Sequence, residues 1–154
     1  MNLIDHRPIL IVEDSDEDFA ATLWALEKAS IKIPIVRCKD GELAIDYLEK
    51  RGQFAASEAA PLPAIILLDL NLPRTNGRQV LKHIKTSNRL KILPVIVFTS
   101  SKAREDIQSC YQNGSNSYVA KPMGIWELRK LVHDLAEYWF RLSLLPDLIA
   151  MNED

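Results

Sequence analysis

The run Ala64-Ile65-Ile66-Leu67-Leu68 has no polar side chain to offer solvent on either of the two faces that alternate along a strand. A strand made of it must be covered on both sides, as a central strand of a parallel sheet is. This run extends back to Leu62, and four others accompany it: Pro8 to Val12, Ile33 to Cys38, Pro94 to Thr99 and Ser117 to Ala120. Helical spacing fills the intervals. Strands that alternate with helices pair in parallel, because each crossover returns the chain to the same end of the sheet. The expected fold is therefore a doubly wound α/β sandwich.

The helices carry their own punctuation. Phe19, Leu23, Leu26 and Ala29 recur at helical spacing after Ser15, which with Asp18 resembles a capping box. Asp40 can cap a second helix carrying Leu43, Ala44, Tyr47 and Leu48, and a third should follow Asn76-Gly77 and bury Val80, Leu81 and Ile84. A fourth is expected from about Ala103 to Gln112, stopped by Asn113-Gly114, and a fifth from Ile125 to Leu142. Arg51 to Pro63, with its alanines and prolines, reads as an extended loop. No linker, repeat or low-complexity tract divides the chain.

A net charge of −2, with lysines and arginines spread along the sequence, gives no electrostatic reason to bind nucleic acid or an anionic membrane. No apolar run approaches the roughly 18–20 residues that span a bilayer, and Met1 to Arg7 lacks the sections of a signal peptide. A cytoplasmic location is the expectation. In a reducing compartment Cys38 and Cys110 are expected to be buried, unpaired thiols, and His6, His83 and His133, without metal-ligand spacing, to lie on the surface.

In an open parallel sheet, ligands collect at the carboxyl ends of the strands. Here those ends carry Glu13-Asp14, Asp69, Thr99 and Lys121-Pro122. Converging carboxylates repel unless a cation neutralises them, and oxygen-only ligation suits a hard ion such as Mg²⁺. Lys121 adds a second positive charge and Thr99 a hydroxyl donor, so that together they could hold the oxygens of a transferring phosphoryl group.

These residues resemble the response-regulator receiver domains: an acidic pair after the first strand, Asp69-Leu70-Asn71-Leu72-Pro73 leading to Asn76-Gly77, Thr99 after the fourth strand and Lys121-Pro122 after the fifth. The resemblance runs from about Pro8 to Tyr138. It implies a flavodoxin-like five-stranded parallel sheet in the order 2-1-3-4-5, with five helices and an extended last helix. It also implies that Asp69 is the phosphoacceptor and that Asp14, Asp69 and the backbone carbonyl of Asn71 ligate Mg²⁺, with Glu13 acting largely through water. Lys121 would hold the acyl phosphate, Thr99 and Tyr118 would form the switch pair, and Pro122 would follow a cis peptide bond. Ser100 stands where the family usually has Ala or Gly. Such a protein is a phosphoacceptor for a histidine kinase rather than an enzyme in its own right.

Glu137-Tyr138-Trp139-Phe140 followed by Leu144-Leu145-Pro146, together with the loop Arg51 to Pro63, is similar to the single-domain regulators that serve cyanobacterial phytochromes. A phytochrome-type light-sensing kinase is the partner this implies. Leu128, Leu131, Val132, Leu135 and Leu142 can face the sheet, but Trp126, Trp139, Phe140 and Leu144 cannot all share that face. The surplus points to a homodimer through the last helix, the alternative being a tail that folds back over its own domain. On this reading residues 1–146 form the receiver with its dimerisation extension, and 147–154 a tail.

Two other readings use the same fold. A phosphatase of the haloacid-dehalogenase type needs an acidic residue two positions after its nucleophile, where this chain has Asn71, which cannot transfer a proton. A flavodoxin-like FMN carrier needs a phosphate loop of hydroxyl and backbone donors, whereas Glu13-Asp14-Ser15-Asp16-Glu17-Asp18 would repel the phosphate. An EF-hand through Asp14, Asp16 and Asp18 fails at the loop glycine, which is Phe19, and at the last ligand, which is Ala25.

Overall fold

A computed structural model of the chain describes residues 7–56 and 60–148. Expectations for His6, the amino-terminal segment, residues 57–59 of the long loop and residues 149–154 of the tail lie outside the described residues. The strands are β1 (Ile9–Val12), β2 (Ile35–Cys38), β3 (Ile65–Leu68), β4 (Val95–Thr99) and β5 (Ser117–Ala120). They alternate with α1 (Asp16–Lys28), α2 (Gly41–Glu49), α3 (Gly77–Thr86), α4 (Arg104–Gln112) and α5 (Ile125–Glu137). All pairings are parallel and the sheet order is β2-β1-β3-β4-β5.

The continuous apolar runs are resolved into two faces by the strand alternation. Leu10 and Val12, Ile66 and Leu68, and Val95 and Val97 enter a core shared with Tyr47 and Leu48 of α2 and Val80, Leu81 and Ile84 of α3. Ile9 and Ile11, Ile65 and Leu67, and Ile96 and Phe98 enter a second core with Ala25 and Leu26 of α1 and Leu128 and Val132 of α5. All four residues of β3 are buried, as a strand covered on both sides requires.

Local signals hold at most helix starts. Asp40 accepts from the Leu43 amide at 2.8 Å, and Asn76 and Gln79 form a reciprocal capping box. At α1 only half the expected box forms. Ser15 accepts from the Asp18 amide at 3.1 Å, but the Asp18 carboxylate turns to Lys121 at 3.0 Å, because a full opposite charge outbids a neutral backbone amide. The loop after α2 is not wholly extended: Gly52–Phe54 makes a 3₁₀ turn, Phe54 packs edge-on to Tyr47 with centroids 5.2 Å apart, and the Tyr47 hydroxyl donates to the Pro61 carbonyl at 2.7 Å.

The last helix departs from expectation at its end. It is α-helical to Glu137 and then widens into a π-helical turn, Tyr138–Leu142, closed by the Ser143 amide on the Tyr138 carbonyl. The wider turn rotates the following side chains. Trp139 and Phe140 pack on the second core, while Leu142, expected to face the sheet, is 74% exposed. Beyond it Leu145 joins the second core and Leu148 the first, and Arg7 donates to the Pro146 carbonyl at 3.0 Å. The chain thus remains docked past Asp147. Cys38 and Cys110 are buried and unpaired, His83 bonds Glu49 at 3.0 Å, and His133 is exposed.

Candidate functional site

The sheet register carries its hydrogen bonding one residue past β1, β3 and β5. The Glu13 amide donates to the Cys38 carbonyl at 3.0 Å, the Asp69 amide to the Val12 carbonyl at 3.1 Å and the Lys121 amide to the Thr99 carbonyl at 2.8 Å. These bonds fix the site side chains on rigid backbone at one edge. Gly77 closes the site from below, since a Cβ there would lie 2.0 Å from the Asp69 carbonyl oxygen. Only glycine lets α3 start so near the residue after β3.

Lys121 is the centre of charge. Its Nζ contacts Asp69 Oδ2 at 2.9 Å, Asp18 Oδ2 at 3.0 Å and Glu13 Oε1. Glu13, Asp69 and Thr99 are buried while Asp14 is exposed at the mouth. Burial would raise the Asp69 pKa, but the hydrogen bond and charge of Lys121, with help from the Thr99 hydroxyl, bring it below the usual carboxylate value. Glu13 behaves oppositely: burial, added to the nearby Asp69 charge, outweighs Lys121 and pushes it up to about 7. Burial also disfavours the Lys121 charge, yet its hydrogen bonds to Glu13 and Asp69 hold the ammonium above its ordinary pKa. Asp69 is therefore held as an anion beside a persistent cation.

Glu13, Asp14 and Asp69 each offer a carboxylate oxygen, and these lie within 4.8 Å of one another. One cation cannot neutralise three carboxylates, and an all-oxygen set of this spacing suits a hard divalent ion. Asn71 follows Asp69 by two residues, with its amide 3.4 Å from Asp69 Oδ1. The Tyr118 side chain packs against the first core, and its hydroxyl donates to the Ser101 carbonyl at 2.8 Å.

One expectation is corrected. The described residues contain no cis peptide bond, so the Lys121-Pro122 bond is trans. Trans is the intrinsically favoured isomer even before proline, and Lys121 reaches all its carboxylate partners without the turn a cis bond would make.

Asp18 was missed as a site residue. It lies 103 positions from Lys121, and its local signal, three residues after a serine, was that of a helix cap. Arg37 was missed as well. It donates to the Glu13 carbonyl at 3.1 Å, pairs with Asp16 at 2.8 Å and lies over the Phe19 ring, fixing the acidic loop to β2. Its position as a lone arginine inside an apolar strand was the available clue.

Residues 9–133 match the family model of the response regulator receiver domain. This chain belongs to that family. The receiver is 36% identical to the response regulator Rcp1 of Synechocystis over 91% of this chain and 93% of that protein. It is 37% identical to the probable methanogenesis regulatory protein FilR2 of Methanothrix harundinacea, over 90% and 86%. The phosphorylated cyanobacterial phytochrome response regulator RcpA is similar in structure, with a TM-score of 0.86 at 34% identity over 92% of this chain and 99% of that one. A solved form of Rcp1 is Mn²⁺-bound and gives a TM-score of 0.84 at 35% identity, with the same coverage. The receiver thus has a relative that holds a divalent ion, and a carboxylate cluster that fits one. Among the described residues no helix is long and apolar enough to cross a membrane.

Proposed function

We propose that this receiver accepts a phosphoryl group from a histidine kinase onto Asp69, with Mg²⁺ bound by Asp14, Asp69 and the Asn71 carbonyl and assisted by Glu13. The observation that carries this reading is the pairing of Asp69, ionised and buried, with Lys121 at 2.9 Å beside two further carboxylates. An Asp69 oxygen attacks the phosphorus of a phosphohistidine, the P–N bond breaks, and the imidazole leaves with the electron pair. Lys121 stays on the acyl phosphate as a counter-charge, and the Thr99 hydroxyl donates to a phosphoryl oxygen. Bound Mg²⁺ supplies the remaining positive charge. The protein acts as a phosphoacceptor, not as a multiple-turnover enzyme.

A phytochrome-type kinase is the partner favoured by kinship with the phytochrome response regulator RcpA, and a cytoplasmic site of action goes with that partnership. Thr99 and Tyr118 serve as the switch pair that alters the surface around α4, β5 and α5. A homodimer through the last helix is supported by Trp126, Tyr138, Leu142 and Leu144, all more than half exposed, and by a groove of about 750 Å³ between β5 and α5. The haloacid-dehalogenase and FMN readings gain no observation in their favour.

The test is intact mass after incubation with acetyl phosphate and Mg²⁺, alongside Asp69→Asn and a chelated sample. The expected result is a hydroxylamine-labile gain of one phosphoryl group, lost in both controls. No gain from acetyl phosphate, and none from a phosphorylated cognate kinase, overturns the reading.

A further inference from the structure

α4 buries one residue, Cys110, and its N-cap, Ala103, makes no side-chain cap bond. A helix so thinly packed and uncapped needs another anchor, since most helical stability in proteins comes from a buried face. The anchor is polar and runs through Ser101, in the loop between β4 and α4. The Ser101 hydroxyl donates to Asp106 Oδ2 at 2.6 Å and accepts from the Ala103 amide at 3.2 Å. The other Asp106 oxygen accepts from Arg78 of α3 at 2.5 and 3.2 Å. The Ser101 carbonyl in turn accepts the Tyr118 hydroxyl, and its amide lies 3.5 Å from the Thr99 hydroxyl. One residue thus touches both members of the switch pair through its backbone and Asp106 through its side chain.

We propose that Asp106 is a positioning residue for Tyr118: clamped by Arg78 and acting through Ser101, it holds the loop carbonyl where Tyr118 in its turned-in arrangement can bond it. The clamp presets the switch before any phosphoryl group arrives. Because the bonds are charge-assisted and join three elements, releasing one end frees the loop and α4 together. The assignment of Tyr118 as a switch rests on the proposed receiver function; the clamp itself does not.

The test uses the full chain labelled with 3-fluorotyrosine and read by fluorine NMR without phosphodonor or metal, the Tyr118 resonance being assigned with Tyr118→Phe. Asp106→Asn should move that resonance toward the solvent-exposed position, raising the turned-out population roughly tenfold, the scale of one lost charge-assisted hydrogen bond. Ser101→Ala should do the same, because it keeps the carbonyl that Tyr118 touches and removes the hydroxyl that ties the loop to Asp106 and to the Ala103 amide. Glu105→Gln, which takes an acidic charge from the same first turn of α4, should leave the resonance in place. Should Asp106→Asn and Glu105→Gln shift it equally, Asp106 acts only through the helix dipole and the proposal falls. An unmoved Tyr118 in both Asp106→Asn and Ser101→Ala also overturns it. No phosphodonor enters this measurement, so a failure of phosphoryl transfer in the mass experiment is a separate result.

Discussion

Metal binding to the receiver should cost a proton, and the cost can be worked from Glu13. Burial beside Asp69 lifts its pKa from an ordinary 4.5 to about 7, so near neutrality about half the molecules carry a proton on a carboxyl of the cluster that fits a divalent ion. A divalent ion needs that group ionised. Apparent Mg²⁺ affinity should therefore weaken roughly tenfold between pH 8 and pH 6, whereas a carboxyl titrating at its ordinary value would leave it nearly constant. Calorimetric titration at pH 6, 7 and 8, repeated in buffers of different ionisation enthalpy, reads both the affinity and about half a proton released at pH 7. Glu13→Gln should bind more weakly and flatten the profile. Equal affinity at pH 6 and pH 8, or an unchanged slope in Glu13→Gln, would refute the reasoning. The same shift fixes a sign for stability in the absence of metal. The folded state holds this proton more tightly than the unfolded state, so the stabilisation is complete below about pH 4.5 and is lost as the pH rises to about 7.

Gly77→Ala should destabilise the fold by about 1–3 kcal/mol in urea unfolding and slow phosphoryl gain, because its Cβ would collide with the Asp69 carbonyl at 2.0 Å. Ile66→Ala, at a wholly buried site on β3, should cost about 2–5 kcal/mol by the same measurement. Asp40→Ala should cost about 1 kcal/mol by removing the cap on Leu43. If the last helix is the dimer contact, Leu142→Glu combined with Leu144→Glu, both on exposed positions, should turn a dimer into a monomer in light scattering without changing the circular dichroism; a variant that remains dimeric removes that interface.

The fold was readable because its strands are so apolar. A doubly covered parallel sheet accommodates Ile65 to Leu68 once helical spacing fills the intervals between strands, and the residues after each strand then fall at one edge whatever the loops do. What escaped were contacts set by distance in space rather than in sequence. Asp18 pairs with Lys121 across the top of the sheet, Asp106 with Arg78 between two helices, and in neither case does local spacing distinguish the contact from an ordinary exposed charge. The exposure of Leu142 escaped for a different reason. A helical wheel assumes a constant turn, and the π-helical widening at Tyr138 shifts the phase of every residue after it. The trans Lys121-Pro122 bond depends on the local backbone alone, and the residue types on either side of it permit both isomers.

The bond from Arg7 to the Pro146 carbonyl joins the two ends of the described chain just before β1, at the edge of the parallel sheet opposite the one that carries Asp69. A covalent link between positions 7 and 146 would therefore staple the chain at that edge without touching the carboxylate cluster around Asp69. A circular permutant linking the two ends there, and reopened in the loop after α2, should keep its carboxylate cluster intact.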